Sequence, residues 1–229
     1  MEFIQQGFYQ AYILLKSGDP ETYSAILATL RVSSLAMLVS LLLGIPFGYL
    51  LGYFNFRLKK QLRIIVDTLL SLPTVFIGLL VYALVARHGP LGEMGLLFTL
   101  TGIAIGQAIL ALPIVTALTA AAVEAADRNL RFTLLSLGAN RRQLFFSTLW
   151  EVRHGILAAA VIATGRVLTE VGISLMVGGN IKWHTRTITT AITLETNKGE
   201  FGMGIALGLV LLLIALAVNI SVAGLRRRF

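Results

Sequence analysis

The sequence predicts an all-α integral membrane protein, a bundle of five transmembrane helices. Of its 229 residues, 56% are hydrophobic and only 13% are charged, whereas a soluble domain carries about 25% charged residues. The mean hydropathy is +0.83. So few charges cannot cover a water-facing globule of this length. The apolar residues are also grouped into five long stretches rather than spread along the chain.

Each of the five stretches is long enough to cross a bilayer, which takes roughly 20 apolar residues at 1.5 Å per residue. The first and third exceed this length, so we expect them to tilt or to project beyond the lipid. Asp19-Pro20-Glu21 marks the start of the first helix, with a capping acceptor, a proline and an acid beside the dipole. The predicted spans are Tyr23–Tyr53, Ile64–Val85, Leu96–Ala122, Gly155–Val177 and Met203–Ala223.

Ahead of the first span, apolar residues recur at helical spacing among glutamines: Phe3, Phe8, Tyr12 and Leu15. This pattern favours a short helix that lies in the membrane interface. A sixth span is the alternative, but the glutamines and the short length argue against it.

Lysine and arginine are distributed unequally between the two sets of loops. Because cytoplasmic loops carry the excess of these residues, the count places the N-terminus outside and the C-terminus in the cytoplasm. The same clustering accounts for the net charge of +8, so we do not expect nucleic-acid binding. Five of the lysines and arginines lie on the predicted outer side. Twelve lie on the predicted inner side: Arg57, Lys59, Lys60, Arg63, Arg128, Arg131, Arg141, Arg142, Arg153, Arg226, Arg227 and Arg228.

Glycines spaced four residues apart mark two candidate packing faces. Gly44, Gly48 and Gly52 lie on one face of the first span, and Gly204 and Gly208 lie on one face of the fifth. Small residues at this spacing let helix backbones approach closely in lipid. No internal repeat is evident, so an inverted-repeat secondary transporter gains no support.

The inner loop between the third and fourth spans has the pattern of a helical elbow. Two short helices, Phe132–Leu137 and Arg141–Leu149, are predicted on either side of Gly138-Ala139-Asn140. Glycine provides the backbone freedom for the break, and Asn140 can cap the second helix. An apolar-faced elbow in a basic cytoplasmic loop is suited to lie in a groove on another protein.

This loop resembles the coupling-helix loop of type I ABC importer permeases. The family's usual form reads Glu-Ala-Ala, two residues, Leu-Gly-Ala, then a helix that ends near Leu-Pro and Pro-Gly-Ile. Here Phe132-Thr133-Leu134 replaces Glu-Ala-Ala, and Trp150 and His154 replace the two prolines, so only the glycine elbow carries over. The resemblance implies a coupling loop at about 128–153 that contacts an ATPase through Leu134, Ser136, Leu137, Gly138, Ala139, Asn140, Arg141, Gln143 and Leu144.

Three further segments resemble the molybdate, tungstate and sulfate branch of these permeases. The last of them, at 189–201, is most similar to tungstate permeases. The resemblance covers nearly the whole chain and implies a single transmembrane domain over residues 1–229 with the type I ABC importer permease fold. The segments are Leu72-Pro73-Thr74-Val75 with Gly89-Pro90-Leu91-Gly92, then Gly165-Arg166 with Glu170-Val171-Gly172 and Gly178-Gly179-Asn180-Ile181, and then Thr189-Thr190-Ala191-Ile192 with Lys198-Gly199-Glu200-Phe201.

Two groups of charged residues are candidate functional sites. Arg166 and Glu170 lie four apart in the fourth span, where they can pair on one helix face and fasten the bundle or a dimer. Direct contact of this pair with a passing oxyanion is the alternative. Lys182, Trp183, His184 and Arg186 form a basic, aromatic cluster in an outer loop. This cluster fits either a receiving surface for a binding protein or anion, or an interfacial belt with Trp183 at headgroup depth.

The sequence contains no catalytic constellation and no Gly-x-x-x-x-Gly-Lys-Ser/Thr loop, so we expect no cofactor or metal on this chain and no enzyme activity. The resemblance implies a homodimer in a bacterial or archaeal cytoplasmic membrane. It also implies two copies of a separate ATPase subunit, which hold ATP and Mg²⁺, and an external oxyanion-binding protein. The predicted function is ATP-driven import of tungstate, then molybdate, then sulfate. The alternatives are a permease for methionine or another small solute, and an ATP-independent channel or carrier.

Overall fold

A computed structural model describes residues 2–126 and 128–228, and all regular structure within these ranges is helical. The side chains of Arg128, Arg131, Arg226, Arg227 and Arg228, which entered the charge count, lie outside the described part. A short 3-10 helix, Gly92–Met94, follows α4. The α-helices are α1 (Glu2–Ser17), α2 (Pro20–Tyr53), α3 (Lys59–Leu70), α4 (Thr74–Val85), α5 (Leu100–Glu124), α6 (Arg128–Ser136), α7 (Arg141–Glu151), α8 (Arg153–Leu168), α9 (Gly172–Gly178), α10 (Ile188–Asn197) and α11 (Phe201–Arg228).

The centre of the bundle is the contact between α2 and α5. A Cβ built on Gly48 would lie 2.6 Å from the Cβ of Thr119, and one built on Gly44 would lie 2.8 Å from Val115 Cγ1. The predicted packing face of the first span is therefore confirmed. In α11 a Cβ built on Gly204 would lie 3.0 Å from Thr196 Oγ1, whereas no described residue lies within 4 Å of one built on Gly208, so close packing at Gly208 stays a prediction.

Asp19 begins α2 as the sequence predicts. Its carboxylate accepts a hydrogen bond from the backbone N–H of Thr22 at 2.8 Å, and Pro20 occupies the first turn. Together they satisfy an otherwise unpaired donor and fix the backbone angle of the first helical residue. At 34 residues, α2 is about 51 Å long at 1.5 Å per residue, which is longer than the hydrocarbon core.

The predicted second span is not one helix. Three helices (α2, α5 and α11) are each long and apolar enough to cross a membrane, and α3 and α4 meet at a bend of 100°. The break falls at residues 71–73, because Pro73 disfavours helical geometry in Leu72 and cannot donate a backbone hydrogen bond. The start of α4 then packs on α9, with a Cβ on Gly172 only 3.2 Å from Val75 N.

The predicted fourth span is broken as well. α8 ends at Leu168 and α9 begins at Gly172, and α7 meets α8 at a bend of 65°. Together α8 and α9 run antiparallel to α5. A Cβ on Gly155 would meet Ala122, and one on Gly178 would meet Ile103. The broken pair therefore covers nearly the full length of a spanning helix.

The predicted N-terminal helix is present as α1, which packs against the start of α11. Gly7 is buried, and a Cβ there would lie 2.5 Å from Ile205 Cγ2. The Phe3 and Phe201 rings lie 5.8 Å apart. On the other side of α1, Phe8 and Tyr12 are exposed. Its location in the membrane interface stays a prediction.

Candidate functional site

The predicted elbow exists as a tight helix–turn–helix between α6 and α7. Gly138 has φ +77°. The N–H of Gly138 donates to the carbonyl of Leu135, and the N–H of Ala139 donates to the carbonyl of Leu134, both at 3.0 Å. These two bonds form the Schellman arrangement that ends helices at a left-handed residue. Glycine adopts this conformation without the Cβ penalty of other residues.

The second half of the elbow is fixed by a capping box. Asn140 Oδ1 accepts from the Gln143 N–H at 3.0 Å, and Gln143 Oε1 accepts from the Asn140 N–H at 2.8 Å. Such reciprocal bonds satisfy two unpaired donors at a helix start. The angle between α6 and α7 is therefore set by residues of the elbow itself.

The elbow exposes apolar side chains to its surroundings, while α7 packs on the bundle. Leu137 is 79% exposed, and Phe132 and Phe146 are also exposed. On the side that faces the bundle, Leu144 is buried, and the Phe145 ring contacts the Tyr49 ring edge-on at 4.7 Å. Of the other predicted contact residues, Leu134 and Ala139 are half-buried, whereas Ser136, Asn140, Arg141 and Gln143 are exposed. An exposed apolar surface on an anchored base is a docking geometry.

The prediction that Arg166 and Glu170 pair on one helix was wrong, because α8 ends between them. Glu170 is only 4% exposed, and its carboxylate instead accepts from the Ile173 N–H of α9 at 3.0 Å. Arg166 is exposed, and within the described residues its side chain forms no hydrogen bond or ion pair. An arginine facing lipid at the centre of a bilayer costs about 2.5–3.5 kcal/mol, so this position demands water or a partner.

The loop at 180–187, which is predicted to lie outside, is less basic than its residues suggest, because Glu21 neutralises part of its charge. Lys182 Nζ lies 2.6 Å from Glu21 Oε2, and Arg186 donates to the other carboxylate oxygen. Arg186 Nε also donates to Asn180 Oδ1 at 3.1 Å. The sequence did not reveal these partners. Asn180 is six residues from Arg186 in the chain, but Glu21 is 165 residues from it.

Two aromatic residues of the outer cluster remain on the surface. Trp183 is 56% exposed and has φ +66°, a conformation that is an outlier for a bulky residue. Lys182 Nζ lies 5.3 Å from the centre of its ring. His184 is also exposed. The loop therefore presents a strained, outward-facing indole rather than a set of free charges.

The opposite end of the bundle has its own charge cluster. Lys59 Nζ lies 3.0 Å from Glu124 Oε1, and Arg63 Nη1 lies 3.3 Å from Glu124 Oε2. This cluster links α3 to the end of α5, close to the elbow. The sequence count had used Lys59 and Arg63 only as topology signals.

One large concavity in the described part of the chain is unsuited to an anion. It has a volume of about 700 Å³ and lies between α3 and the α2–α5 pair. Its lining is almost entirely apolar, including Phe47, Leu62 and Leu112. Nothing in such a wall replaces the hydration of a charged oxyanion.

The helical bundle, with its anchored elbow, defines a membrane-spanning transport subunit, and comparison with known proteins supports this class. The chain belongs to the family of binding-protein-dependent transport system inner membrane components, whose model matches residues 44–229. A tungstate uptake system permease protein, TupB of Campylobacter jejuni, is 47% identical over 99% of this chain and 95% of the relative.

Two other comparisons agree with this family. TupB of Peptoclostridium acidaminophilum is 38% identical, with 99% of each chain covered. Among solved structures, a bacterial ABC transporter involved in the import of the acidic polysaccharide alginate has a TM-score of 0.79, at 19% identity. That match covers 99% of this chain and 87% of the other. At this low identity the structure shows the shared fold alone.

Proposed function

We propose that this chain is the permease subunit of an ATP-driven importer whose cargo is tungstate, with molybdate next and sulfate further behind. The observation that carries this proposal is the near-full-length identity to two tungstate uptake permeases. Such coverage includes every segment that could line a path, contact an ATPase or meet an external binding protein.

The same proposal includes five membrane crossings, of which two are bent. α2 and α5 run in the same direction, since Gly44 faces Val115 and Gly52 faces Val123. The chain must therefore return across the bilayer between them, and α3 with α4 is the segment available. The α8–α9 pair crosses back along α5, and α11 makes the final crossing. With the elbow in the cytoplasm, the N-terminus lies outside.

Coupling to ATP occurs through the elbow. A second copy of the chain completes the translocation path, and each copy docks residues 136–144 on one ATPase subunit that holds ATP and Mg²⁺. The exposed Leu137 and Phe132 provide the apolar contact, and the Schellman turn with its capping box keeps the angle rigid. A rigid elbow transmits ATPase closure to α5 and α8 as rigid-body rocking between outward-open and inward-open states.

The outer loop receives the loaded binding protein. Trp183 and His184 are exposed on the side where α2 begins, because Lys182 and Arg186 bind Glu21. Aromatic residues are enriched in protein interfaces. In this arrangement Glu21 holds the loop in position, and Trp183 makes the contact.

The test is reconstitution of the chain with the ATPase and binding protein encoded beside it. We expect co-purification with the ATPase and vanadate-sensitive uptake of tungstate. Gly138→Pro combined with Ala139→Asp, and separately Leu137→Asp, should abolish ATPase binding while membrane insertion is retained. Met94→Ser, at an exposed site of the outer region, is the matched control. Uptake that proceeds without ATP would instead show a channel or carrier, and a binding protein that prefers methionine would refute the oxyanion cargo.

A further inference from the structure

Arg166 lies near the middle of the bundle. Its neighbour Val167 belongs to a buried cluster with Ala111 and Val115, which are central residues of the 25-residue helix α5. Counted from Arg153, the start of α8, Arg166 lies about 20 Å along the helix axis at 1.5 Å per residue. Both measures place it well inside a hydrocarbon core about 30 Å thick.

The face of α8 that bears Arg166 is unpacked within the described chain. Ile162, Gly165 and Thr169 on this face are exposed, and nothing lies within 4 Å of a Cβ built on Gly165. The adjoining side of α8, with Ala163 and Val167, is buried. A charged, open face at this depth must border water or another chain, because ionisable residues inside membranes face a bundle interior or a water-filled cavity.

The backbone beside Arg166 supports water rather than lipid. α8 ends at Leu168 and α9 begins at Gly172, and residues 169–171 between them are not helical, although the N–H groups of Thr169 and Glu170 still donate to the carbonyls of Gly165 and Val167. Thr169 is exposed at this break, and its hydroxyl bonds back to the Gly165 carbonyl at 3.0 Å. Non-helical backbone at membrane depth is tolerated where it is buried in protein or lines a water-filled cavity. Glu170 is buried in the protein at this break, whereas Thr169 is exposed, so it is the Thr169 side that points to the cavity.

We infer that this face of α8 lines the translocation path, and that the Arg166 guanidinium group makes the transient contact with the tetrahedral oxyanion at mid-membrane. The inference rests on the proposed function and adds the residue that meets the cargo. The planar guanidinium fork binds oxyanions through two parallel N–H···O bonds. A two-fold axis along the path would supply the same group from the second copy. One or two such contacts on a water-lined surface offset part of the hydration that the oxyanion loses. They do not form a tight site from which the oxyanion would be released slowly.

Arg31 provides a matched control, because it is also an exposed arginine in a span. Its side chain likewise has no partner within the described residues. Counting back the roughly 20 residues of a crossing from Tyr53 places Arg31 at the outer boundary, where a long cationic side chain reaches the headgroups. The two arginines differ in depth and not in exposure.

The first experiment measures water access and does not depend on transport. The chain has no cysteine, so single cysteines can be placed without removing others. In the assembled complex, the Thr169→Cys variant should react with a cationic, water-soluble methanethiosulfonate reagent at least about tenfold faster than Leu212→Cys on the exposed face of α11. Tungstate should slow the reaction at residue 169. Equal rates at both sites would overturn the inference.

The second experiment measures transport in the reconstituted complex. Arg166→Gln should lower initial tungstate uptake by about tenfold, the loss expected for one charge-assisted hydrogen bond, while ATPase stimulation by the binding protein persists. Arg166→Lys should restore part of the uptake, and Arg31→Gln should leave it unchanged. Uptake by Arg166→Gln at the wild-type rate refutes the inference. So does loss of ATPase stimulation that Arg166→Lys does not restore, since this shows a structural role. A wild-type complex without ATP-driven uptake refutes the proposed function instead, and the labelling result still decides whether this face is wet.

Discussion

Substituting Gly138 tests whether the elbow angle couples the chain to an ATPase. Its φ of +77° costs nothing for glycine. A residue with a Cβ in this left-handed region costs about 1–2 kcal/mol. Within the described part of the chain nothing lies within 4 Å of a Cβ built on Gly138, so steric overlap with these neighbours adds no further cost. The cost should therefore follow backbone preference and not side-chain size.

This reasoning orders three variants. Asn tolerates the left-handed region and should cost least, Ala should cost about 1–2 kcal/mol, and the β-branched Val should cost most. The free elbow of a variant can relax its turn, whereas the docked elbow cannot, so the strain appears as lost affinity. For Gly138→Ala we expect ATPase binding to weaken by a factor of about 5–30.

The assay is titration of the purified permease variants with the ATPase in detergent or nanodiscs. Gly208→Ala serves as the control, because Gly208 is helical and has open space around it. If the affinity instead fell with side-chain size, so that the Asn variant bound the ATPase more weakly than the Ala variant, a neighbouring group would occupy this space. Three variants with wild-type affinity would refute the view that the turn angle matters for docking.

Three further substitutions test the bundle, the cap and the outer loop. Gly48→Ala should lower the free energy of unfolding by about 1–3 kcal/mol, because its Cβ would lie 2.6 Å from Thr119 Cβ and 2.7 Å from the Thr116 carbonyl oxygen. Thermal unfolding in detergent would show this, and a variant as stable as wild type would contradict the packing. Asn140→Ala removes a cap worth about 1 kcal/mol and should increase hydrogen exchange in the first turn of α7; unchanged protection would argue against the capping box. Glu21→Gln should destabilise the protein by up to about 1 kcal/mol, since the pair is partly exposed, and the difference should shrink in high salt. A salt-independent effect would point to packing.

Local features were predictable from the sequence because their causes lie within a few residues. The cap at Asp19 and the glycine face of α2 depend on short-range spacing and chemistry. The break at Gly138 does so as well, and the structure confirms all three. The docking role of the elbow remains a prediction, since it depends on another chain.

The bends and the charge partners were not predictable in the same way. Hydropathy measures how apolar a segment is and is insensitive to direction, so 64–85 and 155–177 each looked like one straight span. Spacing alone also paired Arg166 with Glu170, although the Glu170 carboxylate caps α9 instead. Likewise, Glu21 neutralises cations that are remote in the chain, and only the tertiary structure brings them together.

The bend before Pro73 has a consequence for how the protein is made. α4 has 12 residues and measures about 18 Å, too short to cross the hydrocarbon alone. During synthesis the insertion machinery meets 64–85 as one predominantly apolar run. At that stage α9, where a Cβ built on Gly78 would lie 3.1 Å from Ile173 Cα, has not yet left the ribosome. The bent geometry is therefore completed only after the C-terminal half arrives, and truncation before residue 172 would leave this segment without its support.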